Sequence, residues 1–169
     1  MEFPAPRLVI VLTVAMLSAP ALADDCSSAM LASAQKPVSM QATETDTHGK
    51  QKLMRMVQTA NTLYVLDENG QWKSMSATLK EKYDATIGEL KTSKTTCQRV
   101  GSDSVNGVAT TVYAVHVDNE GSISDNKIWV AANQLVLKSD SLIEGTHYVS
   151  EYDYAHLSPP ANATPVGPQ

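Results

Sequence analysis

The chain has 169 residues, 43% of them hydrophobic, with 18 acidic side chains against 13 basic ones and a net charge of −5. That length and apolar content suit one ordinary domain with a real core. The acidic balance leaves no basic footprint for nucleic acid or an anionic membrane surface.

In chain order, residues 1–23 read as a secretory signal peptide. Arg7 gives the positive start and Leu8 to Leu17 the apolar run. That run is too short to span a bilayer, which takes roughly 20 apolar residues. Pro20 breaks it, and Ala21-Leu22-Ala23 has the small-x-small form of a cleavage site. The mature chain is expected to begin at Asp24 and to carry no transmembrane segment. An uncleaved anchor is the other reading. Cys26 lies behind two aspartates, Asp24 and Asp25, which does not suit an acylated N-terminal cysteine.

The mature domain, 24–157, opens with a short helix. Ser27 or Ser28 caps it, Met30, Leu31 and Ala34 lie along it, and Pro37 stops it. Val38, Met40 and Ala42 then alternate with Ser39, Gln41 and Thr43, the period of a half-buried strand. His48-Gly49-Lys50 turns the chain into a second alternating run, Gln51 to Thr59, and Leu63 to Leu66 forms a third. Asn69-Gly70 predicts a tight type I′ hairpin leading to Trp72, because both residues tolerate positive φ. The period then switches. Leu79, Tyr83, Ile87 and Leu90 predict an amphipathic helix over 77–91 lying against the sheet.

From Thr95 the pattern is again β. Strands are expected over Thr96 to Ser104, Ala109 to Val117, Lys127 to Val130, Gln134 to Ser139 and Thr146 to Tyr154. Turns fall at Asn106-Gly107, Asn119-Glu120-Gly121 and Glu144-Gly145. The Pro-rich tail, 158–169, has too little apolar content to fold and is expected to be loosely ordered. The fold class is therefore α+β and mostly β. It has seven to nine antiparallel strands, one main helix and a short N-terminal helix. One helix covers only part of such a sheet, so the rest of the apolar face needs curvature, a second molecule or a ligand.

Two cysteines remain, Cys26 and Cys97. In an oxidising compartment a pair suggests a disulfide, here tying the N-terminal helix to a mid-chain strand. Two buried thiols are the alternative.

Three segments give this order of elements a familiar form: Thr62 to Trp72 (TLYVLDENGQW), Gly101 to Tyr113 (GSDSVNGVATTVY), and Lys127 to Val130 with Leu135 to Lys138 and Tyr148 to Tyr154. The chain resembles the periplasmic lipoprotein-carrier superfamily, the LolA-like fold, as a shorter and distant member. The resemblance implies a half-barrel wrapped around helices. It also implies a lipid or acylated ligand held in an apolar cavity, with an envelope protein as a further class of partner. Arg55, in Leu53-Met-Arg-Met56, is a possible counterpart of the carrier's strand arginine.

The expected lining is Met40, Met54, Met56, Leu63, Trp72, Met75, Leu79, Tyr83 and Trp129, since methionine suits flexible apolar partners. A plain core accounts for the same residues. Met54 and Met56 with His48 make a bare Cu(I) pattern that nothing reinforces. His48, His116, His147 and His156 lack metal-ligand spacing. Gly101-Ser-Asp-Ser and Gly121-Ser-Ile-Ser lack the closing glycine of a nucleophile elbow. Glu151 and Asp153 share a strand face, where a solvated pair is commoner than an acid–base pair. The sequence offers no cofactor motif and no enzyme signature. It reads as an exported carrier or sensor of an apolar ligand in the bacterial envelope. The alternative is a structural or protein-interaction module with a filled core.

Overall fold

The computed structural model describes residues 22–166. The expected signal peptide lies outside the described residues, except that Leu22 and Ala23 begin the first helix. Two helices and ten strands follow in order: α1 (Leu22–Ala34), β1 (Val38–Thr45), β2 (Gln51–Gln58), β3 (Thr62–Leu66), β4 (Trp72–Ser76), α2 (Leu79–Thr92), β5 (Lys94–Val105), β6 (Val108–Asn119), β7 (Ser122–Ala131), β8 (Val136–Ile143), β9 (Thr146–Asp153) and β10 (Thr164–Pro165). The ten strands join one sheet of order β10-β4-β3-β2-β1-β9-β8-β7-β6-β5. Every pairing is antiparallel except β10 with β4.

The half-barrel expected from the sequence is the fold the chain adopts. Its curvature follows from lengths. Eight inter-strand steps separate β4 from β5, about 38 Å in a flat sheet. The connection between them is α2, a helix of 14 residues and so about 21 Å long, with two residues before it and one after. A helix of that length bridges those strands because the sheet bends toward it.

Glycines set the hairpins. Asn106-Gly107, Glu120-Gly121 and Glu144-Gly145 all have positive φ at both residues and close two-residue loops. The turn at Asn69-Gly70 differs from the expected type I′, for only Gly70 has positive φ. The physical reason is Asp67. Its Oδ1 accepts from the backbone N–H of Asn69 at 2.9 Å and of Gln71 at 2.8 Å, which holds a longer loop. Asp46 does the same for His48 and Lys50, on either side of Gly49.

The two helices divide their work differently from the expectation that the main helix would be the one lying against the sheet. α2 is well capped: Thr78 and Glu81 form a reciprocal capping box. Yet none of its residues is buried. The helix that seals the sheet is α1. Its small residues Cys26, Ala29, Ser33 and Ala34 are buried and allow close approach. Cys26 and Ala29 meet Tyr113, Val115, Ile128, Val130 and Val136 on β6, β7 and β8. Ser33 Oγ accepts from the Val136 N–H at 2.9 Å. The Cys26–Cys97 disulfide then fixes α1 to β5, with the two Cα atoms 6.4 Å apart. Part of the Pro-rich tail is also held: Thr164–Pro165 pairs with Lys73–Ser74, and the Val166 N–H donates to the Ser74 carbonyl at 2.8 Å. Proline is tolerated there because β10 is an edge strand.

Candidate apolar trough and opposite-face cleft

Strand pairing assigns each expected site residue to a face. Met40 stands opposite Met56, Met56 opposite Val65, Ala42 opposite Met54, and Leu63 opposite Met75. Side chains alternate along strands, so Met40, Met54, Met56, Leu63, Val65 and Met75 share one face. It is the face that bears the helices, because Met40 also pairs with Tyr152, which packs against the α1 cluster. α1 fills the half of this trough made by β5 to β8. The other half, β1 to β4, keeps its apolar side chains partly open: the first five are half-buried and Met75 is 38% exposed. At its rim the buried Gln58 donates from Nε2 to the carbonyls of Thr59 and Ala77, both at 2.8 Å. That bond ties the start of α2 to the trough. Leu79 and Tyr83 are half-buried residues of α2.

Trp72 and Trp129 stand on the opposite face. Trp72 is three residues from Met75 on β4, and Trp129 adjoins Ile128 on β7, so neither shares the methionine face. Trp129 has its own surroundings there. It packs with Val105, Val112 and Leu137. Its indole N–H donates to Asp103 Oδ2 at 3.0 Å, and Lys138 Nζ lies 4.9 Å from the ring centre. The Trp129 N–H, then the Ser104 backbone N–H, hold the Asp103 carboxyl below its ordinary range. No local pattern singles out Asp103 or Lys138, because both contacts depend on register. Val65 was within reach, since it alternates with Leu63.

The opposite face also carries a cleft of about 410 Å³. Three consecutive stretches line it, Ser39 to Gln41, Arg55 to Val57 and Glu151 to Asp153, with Trp72, Asn106 from the β5–β6 hairpin and Ser158 from the tail; alternation directs Gln41, Arg55, Glu151 and Asp153 to this face and Met40, Met56 and Tyr152 to the other. Arg55 therefore opens onto this cleft and not onto the methionine trough. Asp153 is already occupied: its Oδ1 accepts from the backbone N–H groups of Ala155 at 2.8 Å and His156 at 2.9 Å. These bonds hold its carboxyl low.

Three histidines are carboxylate-paired: His116 with Asp125 at 2.7 Å, His147 with Asp140 at 2.6 Å and His156 with Asp153 at 3.0 Å. No cluster of three or more His, Cys, Asp or Glu side chains suited to a metal ion occurs among the described residues.

No family model matches the sequence, and no curated protein matches it. Solved structures do. LprF from Mycobacterium bovis is 12% identical, covers 83% of this chain and 97% of its own, and superposes with a TM-score of 0.52. MucB is 14% identical, with 87% of this chain and 66% of its own covered and a TM-score of 0.50. A LolA superfamily protein from Nitrosomonas europaea is 8% identical over 82% of this chain and 95% of its own, with a TM-score of 0.37. At such identities the likeness to LprF and MucB is one of fold.

Proposed function

We propose that the chain is an exported, non-enzymatic binding protein that holds an apolar chain, such as an acyl group, in the methionine half of its trough. The observation that carries this reading is the row of half-open apolar side chains on β1 to β4, beside a half that α1 fills. Thioether side chains adapt to flexible apolar guests. Each CH₂ taken out of water contributes about 0.8 kcal/mol, so a partly enclosed chain of ten carbons binds usefully. The Cys26–Cys97 disulfide fits a location outside the cytoplasm, where a carrier or sensor of lipids would work. Its partners are then a lipid or acylated ligand and an envelope protein that delivers or receives it.

The test is equilibrium binding of a fluorescent fatty acid to the wild type and to Met56→Asp. Met56 is central in the trough, so a charge there is expected to weaken binding at least tenfold. Equal binding by the two proteins contradicts the reading.

A further inference from the structure

The opposite-face cleft carries a second inference. Register places Arg55 opposite Gln41 and Gln41 opposite Glu151, so the cation and the anion flank one glutamine across β2, β1 and β9. Two inter-strand steps put their Cα atoms about 10 Å apart. Both side chains are exposed, and neither takes part in an ion pair among the described residues. The neighbouring carboxylate, Asp153, is engaged by Ala155 and His156; Lys138 stands opposite Glu151 on β8 but places its Nζ 4.9 Å from the Trp129 ring centre, without an ion pair to Glu151.

The cleft is built by sequence-distant parts. Trp72 walls it on the β4 side, Asn106 reaches in from a hairpin tip, and Ser158 comes from the tail that β10 anchors to β4. A groove of about 410 Å³ with a guanidinium at one end and a carboxylate at the other matches a molecule carrying both charges.

We propose that this cleft binds a small zwitterion of the aminophosphate class, its phosphate on Arg55 and its ammonium on Glu151. The guanidinium fork engages phosphate oxygens through two parallel N–H donors. Glu151 accepts from the ammonium, and Gln41 lies between them with both a donor and an acceptor. Such a group exists free or as the headgroup of a lipid, and the two sources are separable.

The experiment titrates the full mature chain calorimetrically with O-phosphoethanolamine, and separately sediments it with vesicles of phosphatidylethanolamine or of phosphatidylglycerol. The expected result is saturable binding of O-phosphoethanolamine that weakens at least tenfold in both Arg55→Gln and Glu151→Gln. The charge-exchanged double variant, Arg55→Glu with Glu151→Arg, is expected to recover binding. Both positions are exposed, so unchanged melting temperatures are expected for all variants. Co-sedimentation with phosphatidylethanolamine vesicles alone identifies the lipid headgroup as the source, and its absence beside calorimetric binding identifies a free zwitterion. The proposal is overturned if O-phosphoethanolamine does not bind, if the single variants bind it as tightly as the wild type, or if inorganic phosphate binds the wild type as tightly as O-phosphoethanolamine does.

Discussion

Tyr154 shows what a single buried polar group does in this fold. Its hydroxyl donates to the Val136 carbonyl at 3.0 Å, just beyond the end of β9. Burial, aided by the neighbouring Tyr152, pushes its phenol up to about 12. The folded state therefore keeps this proton when the unfolded chain, with an ordinary value near 10, has lost it in part. The contribution of Tyr154 to stability is fully present and independent of pH below about pH 10. It is expected to fall between pH 10 and 12, by at most about 1.4 kcal/mol per pH unit. Alkaline titration of phenolate absorbance checks this: Tyr154→Phe is expected to remove one late-titrating phenol, and the wild type to unfold as that phenol ionises. At this scale the sequence was informative where chemistry is local. Asn106-Gly107 announces its turn because both residues tolerate positive φ. The Trp129–Asp103 bond joins residues 26 apart, and no local pattern announces it.

Among the elements, α1 has the largest role relative to its sequence signal. The periodicity of Leu79, Tyr83, Ile87 and Leu90 is the more conspicuous, yet α2 buries none of its residues. Cys26, Ala29 and Ser33 are too small to produce a strong apolar stripe, and smallness is what lets α1 seat against β5 and β8. The disulfide supports that seat. It closes a separation of 71 residues, for which loop-closure arguments give about 4 kcal/mol. Cys26→Ala with Cys97→Ala is expected to lower unfolding stability by about 2–4 kcal/mol in urea titrations. A reducing agent is expected to lower the wild type by a similar amount and the variant not at all. The strand pairs were largely legible, since alternation in β1 and β2 already placed Met40 with Ala42 and Met54 with Met56. Which helix covers them was not, because alternation marks a face without naming its cover.

At the scale of the whole molecule, a curved sheet of ten strands has two faces with different business. One is sealed by α1 over β5 to β8 and left apolar and half-open over β1 to β4. The other holds a walled, charged cleft. The sequence grouped Trp72 and Trp129 with the methionines because residue type was its only guide, and the pairing separates them. The trough is the claim on which the functional account rests. It is tested most directly by NMR of the chain labelled with ¹³C at its methionine methyls, titrated with a palmitoyl lipid. Saturable shifts are expected at Met40, Met54, Met56 and Met75, while Met30 of α1, packed against the sealed core cluster, stays in place. A spectrum in which none of those four methyls moves contradicts the account.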